Sequence, residues 1–229
     1  MTNIEKMLKR LLIGGLIPRT ITCLYGPPNS GKTNIALIAA ASVAKDNKVI
    51  YIDSEGGFSP ERLKQICGEN VDNILKNIMV IEPNDFDEQK VAIMKLNELV
   101  NKSDAKLVIV DSIGVLYRLE EDRDVKELGR IIAQLMGIAR KNNIPILMTN
   151  QVYTDIESGR IVPVGGDIIK YWSKIIIELK ISDRYRSAIL KKHKFMMDGI
   201  RINFDIVDSG IKVVSNGCGE YEDKKTNSY

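Results

Sequence analysis

The sequence predicts an α/β fold: a mostly parallel sheet flanked by helices, with antiparallel strands added at its C-terminal end. Three observations predict it. Short apolar runs alternate with longer helical patterns up to Thr149. Lys106–Asp111 (KLVIVD) is an apolar run that ends in a carboxylate, the pattern of a strand covered on both faces. Beyond Lys174 the strand-like segments follow one another with no long helix between them.

The elements follow in order. Thr20–Tyr25 (TITCLY) reads as a buried strand stopping at Gly26. Asn34–Lys45 is alanine-rich and apolar nearly all round, which predicts a helix enclosed on most sides. Lys48–Asp53 (KVIYID) is the next strand, and Ser59–Ile66 a helix after the turn signal Gly56-Gly57. Asn77–Ile81 is a third strand. Phe86–Asn101 then carries Val91, Met94, Leu96, Leu99 and Val100 at roughly helical spacing. Val125–Arg140 places Leu128, Ile131, Ile132, Leu135, Met136 and Ala139 on one stripe, and Ile144–Thr149 is again a strand. Lys174–Ser182, Arg186–Lys194, Gly199–Val207 and Ile211–Val214 complete the set. In the third of these Ile200, Ile202, Phe204 and Ile206 alternate with polar residues, which suggests antiparallel strands on a sheet edge.

With 229 residues, 44% hydrophobic and 28% charged, the chain is long enough for one self-sufficient core. Residues 1–214 are expected to form a single domain, with 1–19 a short helix (Ile4, Met7, Leu8, Leu11, Leu12) and lead-in. Residues 215–229 are a polar tail expected to be mobile. A net charge of +3 leaves no polyanion-binding coat in bulk, so a basic patch must be local. Cys23, Cys67 and Cys218 form no C-x-x-C, and His193 is the single histidine, which argues against a disulfide framework or a structural zinc. Lys6, Lys9 and Arg10 break any apolar leader, so the expectation is a cytoplasmic protein with no membrane partner.

Gly26-Pro27-Pro28-Asn29-Ser30-Gly31-Lys32-Thr33 matches G-x-x-x-x-G-K-[ST], between a predicted strand and a predicted helix. Gly26 ends the strand, and Gly31 lets the backbone curl so that successive N–H groups face a phosphate. Lys32 would reach the β/γ oxygens of ATP, the Thr33 hydroxyl a Mg²⁺ ion, and the helix running on through Asn34 adds its positive dipole end. Asp111, closing KLVIVD, is the expected second oxygen ligand of Mg²⁺; a carboxylate that merely starts a turn is the competing reading.

Hydrolysis needs a carboxylate for water. Ser112 follows Asp111 and cannot supply it, so Glu55, just past the end of KVIYID, is the candidate base; an ordinary turn glutamate is the alternative. Gln151, after Thr149-Asn150, lies on the same sheet edge, where a neutral amide could sense the γ-phosphate or be only a polar turn residue.

GPPNSGKT (26–33), YIDSEGGFSPERL (51–63), LVIVDS (107–112) and TNQV (149–152) together resemble the RecA/RadA recombinase superfamily, most closely its short archaeal paralogues. The match spans about Leu11 to Val214 and implies a RecA-type P-loop ATPase core. The resemblance further implies that Glu55 activates water, that Gln151 couples ATP to DNA, and that Arg62 packs near the adenine. It makes Ser112–Asp124 and the stretch from Gln151 to about Asp167 two DNA-facing loops. It also matches Lys192 and Lys194 to a lysine pair that reaches a neighbouring subunit's γ-phosphate, which would need a homo-oligomer. The chain departs from full recombinases in three ways. About 20 residues precede the first strand, leaving no room for a helix-hairpin-helix domain. The F-x-x-A polymerisation peptide is absent, and Val152–Asp167 carries Asp155 and Glu157 against Arg160 alone.

Arg184, Arg186, Lys191, Lys192, His193 and Lys194 crowd together, with Tyr185 and Phe195 interleaved. A groove tracking a DNA backbone, with Arg160 at a loop, fits this pattern; so does an edge strand defended by lysines. The leading expectation is a weakly hydrolysing accessory ATPase of DNA repair and homologous recombination. Its partners would be DNA, single-stranded or branched rather than plain duplex, and a full-length RadA-type recombinase. The alternatives are a RecA-fold assembly switch without DNA binding and a small-molecule P-loop kinase, the latter disfavoured by the lack of an arginine-dense insert between Asp111 and Asn150.

Overall fold

The computed structural model describes residues 15–154 and 161–214. The expected N-terminal helix, Asp155, Glu157, Arg160, Cys218 and the tail lie outside the described residues. The strands are β1 (Ile21–Tyr25), β2 (Lys48–Asp53), β3 (Ile78–Ile81), β4 (Ala105–Asp111), β5 (Ile146–Asn150), β6 (Val152–Thr154), β7 (Ile161–Pro163), β8 (Ile175–Ile181), β9 (Arg186–Lys192), β10 (Arg201–Val207) and β11 (Gly210–Val213). The helices are α1 (Lys32–Val43), α2 (Pro60–Cys67), α3 (Val71–Leu75), α4 (Phe86–Ser103), α5 (Val115–Leu119), α6 (Val125–Lys141) and α7 (Gly166–Trp172).

Nine strands form one sheet in the order β11-β10-β9-β8-β1-β5-β4-β2-β3, and β6 pairs with β7 in a separate two-stranded piece. Strands β3, β2, β4, β5, β1 and β8 run parallel, and β9, β10 and β11 add antiparallel. The expected architecture therefore stands, with one shift. The Lys174–Ser182 segment, grouped by its sequence with the antiparallel strands, pairs in parallel with β1 as β8; the antiparallel part begins at β9. The sequence left β6, β7, α3, α5 and α7 unassigned because each is at most seven residues long, too short for a periodicity.

Period-two alternation divides each central strand between two cores. Val49 and Tyr51, Leu107 and Ile109, and Leu147 face α1 and α2. Ile50 and Ile52, Val108 and Val110, and Met148 face α4 and α6. Helix α1 is buried from Ile35 to Ala41 because it is covered by the sheet, α2 and β11, which accounts for its apolar circumference. The Ser59 side chain caps α2 by accepting from Arg62 N at 3.0 Å, with Pro60 at the first helical position. The ends of β1, β5, β4 and β2 lie side by side in this order, so the loops that follow them share one edge of the sheet. Among the described residues no helix is long and apolar enough to cross a membrane.

Candidate nucleotide site

The loop after β1 curls through Asn29 at φ 61° and Gly31 at φ 101°, left-handed positions that a glycine or asparagine tolerates. Gly26 is obligatory, since a Cβ there would lie 2.5 Å from the Leu179 carbonyl oxygen. A Cβ on Gly31 would meet Ile206 Cδ1 at 3.3 Å and Phe204 Cε2 at 3.5 Å, so β10 backs the loop from below. Arg186 Nε, next to Phe204 across the β9–β10 pair, donates to the Asn29 carbonyl at 2.9 Å. Pro27 is half-buried, Pro28 and Asn29 are exposed, and Ser30 is fully buried. Lys32 opens α1, and its Nζ donates to Gly26 O at 3.0 Å and Pro27 O at 2.9 Å. Burial holds the Lys32 ammonium below its ordinary range, and the charges of Glu55 and Asp111 oppose this.

Asp111, 1% exposed, ends β4 in register with Asp53 of β2. Its Oδ2 accepts from the Tyr51 hydroxyl at 2.7 Å, and its Oδ1 accepts from Thr149 Oγ1. Burial pushes the Asp111 carboxyl above its usual range, while hydrogen bonds from Thr149, Tyr51 and Thr33 pull it back. Burial and the Asp111 carboxylate drive the Tyr51 phenol well above its ordinary value, so it stays a donor. The Thr33 hydroxyl and the Asp111 carboxylate thus meet, as sequence reasoning expected of a Mg²⁺ pair, and the donor set is all oxygen.

Glu55 sits in a loop pinned from both ends. Asp53 accepts from the backbone N–H of Glu55 at 3.2 Å, Gly57 at 3.1 Å and Phe58 at 2.7 Å, and Ser54 N donates to Asp111 O at 2.8 Å. Gly57 lies so close to Thr33 that a Cβ would meet its Cγ2 at 3.1 Å, which brings the Glu55 loop onto the phosphate-loop threonine. Glu55 Oε1 accepts from Ser112 Oγ at 2.5 Å and Gln151 Nε2 at 3.0 Å, and Gln151 Oε1 accepts from Arg118 Nη1 at 2.9 Å. Gln89, fully buried on α4, donates to Ser54 Oγ and to Ser112 O, each at 3.1 Å, tying the two loops together.

Arg62 spends its guanidinium edge on protein. Nε donates to Asn34 Oδ1 at 2.8 Å, Nη1 to Gln65 Oε1 at 2.7 Å and Asp208 O at 3.1 Å, and Nη2 to Val207 O at 2.8 Å and Gly210 O at 3.1 Å. All five of its N–H donors are engaged, which anchors α2 to α1 and to the β10–β11 turn.

The basic cluster is spread rather than gathered, because a seven-residue strand separates its ends by about 20 Å. Arg186 lies beside the phosphate loop, whereas Lys192 pairs with Ile176 toward the opposite sheet edge. Lys192 Nζ donates to Lys170 O at 2.6 Å and Ser173 O at 2.8 Å, closing the C-terminus of α7. Lys191 lies 3.5 Å from Glu178 Oε2, Lys194 Nζ stands 5.0 Å over the Phe195 ring, and Arg184 is exposed.

Sequence reasoning missed the roles of Tyr51, Asp53, Thr149, Ser112, Gln89 and Arg118. Parity held a signal for three of them. Tyr51 and Asp53 continue the face of Val49, and Thr149 that of Leu147, so polar groups on the α1 face at strand ends were there to be read. Nothing local marks Gln89 or Arg118, whose partners lie 23 and 33 residues away.

A family model described as Rad51 matches residues 1–214. The DNA repair and recombination protein RadB of Methanosphaera stadtmanae is 43% identical over 213 residues, 89% of this chain and 92% of that one. RadB of Methanococcus maripaludis is 41% identical over 217 residues, 91% and 99% of the two chains. A crystal structure of the RadB recombinase superposes with a TM-score of 0.82 at 38% identity, covering 94% of this chain and 100% of that one.

Proposed function

The chain belongs to the Rad51 family, and from this we propose that it is an ATP-binding, weakly hydrolysing accessory protein of DNA repair and homologous recombination. It binds DNA, single-stranded or branched in preference to plain duplex, and modulates a full-length recombinase. Its relatives carry the name DNA repair and recombination protein RadB, which supports the repair setting.

One observation carries the ATPase reading. Glu55, Ser112 and Gln151, from the ends of three strands, meet on a single carboxylate oxygen beside the Thr33–Asp111 pair. The loop amides and Lys32 would hold the triphosphate, and the flat faces of Arg62, whose edge is occupied, remain for the base. Thr33 and Asp111 would hold Mg²⁺, which when bound neutralises phosphate charge. Glu55 orients the attacking water and accepts its proton. Two donors already occupy Oε1, which supports slow turnover, because water must use Oε2 or displace a donor.

The spread of the basic residues along β9 favours the second reading, an ATP-dependent assembly switch without DNA binding. One experiment separates them: binding to single-stranded and junction DNA, with and without ATP–Mg²⁺, at two ionic strengths. The repair reading expects ATP-linked affinity that falls steeply with salt. DNA affinity absent in every condition would leave the switch.

A further inference from the structure

Helix α4 buries Phe86, Gln89, Ile93, Leu96 and Val100, one stripe along its length. Phe86, Ile93, Leu96 and Val100 pack into the core shared with α6, and an apolar residue between them would suit that face. Gln89 is 0% exposed, and its Oε1 has no hydrogen-bond partner among the described residues. An orphaned buried acceptor opposes folding, so the reason for a carboxamide here lies elsewhere.

It lies in the other arm of the amide. Nε2 donates to Ser54 Oγ and to Ser112 O, each at 3.1 Å. The Ser112 carbonyl can only accept, so the amide cannot be turned over to satisfy Oε1. Both acceptors belong to residues joined to Glu55. Ser54 precedes it in the chain, and Ser112 Oγ donates to its Oε1 at 2.5 Å. Ser54 N also donates to Asp111 O at 2.8 Å, so β4 holds the backbone of Ser54 and α4 its side chain. Gln89 thus closes a ring that runs through Ser54, Glu55 and Ser112 and back to its own nitrogen. The ring needs one neutral nitrogen with two N–H groups. A leucine or a carboxylate offers no donor, and a hydroxyl offers one.

We propose that Gln89 is a positioning residue for water activation: from within the core it fixes Ser54 and Ser112, and through them the direction in which the Glu55 carboxylate faces the phosphate loop. This rests on the reading of Glu55 as the base and adds the residue that sets its aim. Gln89 acts through the two serines alone.

The test measures steady-state ATP hydrolysis and ATP affinity of the full chain. Gln89→Met keeps the length of the side chain and suits the apolar stripe. It deletes the orphaned Oε1 and strips Ser112 O of its amide donor, two effects on stability that oppose each other. Its kcat is expected to fall by roughly 10-fold or more, the scale of a small misplacement of a reacting group. ATP affinity by titration should stay within about 2-fold of the parent's, since no contact with the nucleotide is lost. Ser54→Ala breaks one arm of the ring at a half-buried position and leaves the core intact, so it decides the matter even where Gln89→Met does not fold. It should lower kcat by about 3-fold or more. In a Glu55→Gln background neither substitution should lower turnover further, because the ring serves one carboxylate. A side chain that only supported the fold would lower turnover equally in both backgrounds. A kcat within about 2-fold of the parent's in whichever of the two variants folds, or an equal further loss in Glu55→Gln, overturns the proposal. Parental turnover in Glu55→Gln itself overturns the reading of the base, and this inference falls with it.

Discussion

The Tyr51 hydroxyl donates to Asp111 Oδ2 at 2.7 Å, joining β2 to β4 beneath the candidate metal position. Both residues are almost fully buried, so neither group has water as a substitute partner. Hydrogen bonds to charged groups contribute about 1.5–3 kcal/mol. Tyr51→Phe keeps the ring and removes the donor, and is expected to destabilise the protein by about this amount in denaturant titration. An unchanged midpoint would remove the bond from the account of this site.

Asp111 itself opposes folding when charged. Burial raises its carboxyl above the ordinary 3.8. A group with a raised folded value contributes stability that is full below its unfolded value and is lost as pH rises through the folded one. Asp111→Asn is therefore expected to raise the thermal midpoint of the metal-free protein at neutral pH. The advantage should shrink as pH falls toward 3.8, and Mg²⁺-dependent turnover should be lost throughout. Thermal melts of both proteins across that pH range, in chelator, decide it.

Glu55→Gln should retain nucleotide binding and lower turnover by roughly 10²–10⁴-fold, the scale of a general base. Isothermal titration with ATP and a phosphate-release assay separate the two effects. Turnover equal to the parent's would take Glu55 out of the mechanism.

Much of this site was legible because each strand end announces itself. The apolar runs TITCLY, KVIYID and KLVIVD each lead directly into or end in residues of the proposed site, and parallel pairing then brings those ends to one edge. The Thr33–Asp111 meeting and the approach of Glu55 to Gln151 follow from that edge alone. What stayed hidden depends on long-range register. Lys192 looks like part of a basic groove until β9 is laid against β8, which delivers it to the carbonyls ending α7. Arg186, six positions earlier, goes to the phosphate loop instead. For Arg62 the resemblance implied a place near the adenine, but nothing in its local sequence marks acceptors that lie up to 148 positions away on the β10–β11 turn. No local pattern encodes such pairings.

The two lysines near the end of β9 should therefore separate experimentally. Lys192→Met removes both hydrogen bonds to the end of α7 and is expected to destabilise the protein by about 1–2 kcal/mol. Lys194→Ala, losing only an exposed contact with Phe195, should leave the thermal midpoint within measurement error. DNA affinity read on both variants then distinguishes a lost contact from a lost helix end.

Gly26→Ala would drive a methyl group into the Leu179 carbonyl, 2.5 Å away. Backbone cannot yield as a flexible side chain does, so the loop must shift away from β8. Nucleotide binding is expected to vanish in titration even where circular dichroism reports an intact sheet. ATP affinity preserved in this variant would mean that β8 does not constrain the loop.

The phosphate loop is encoded within the first 33 residues, but its walls arrive much later: Leu179 beside Gly26, Arg186 on Asn29, and Phe204 and Ile206 under Gly31. During synthesis on the ribosome, the motif emerges long before anything stands behind it. A nascent chain paused ahead of β8 would carry the whole signature without the walls that hold it in shape. If the loop takes ATP as proposed, a product terminated before β8 is expected to bind none.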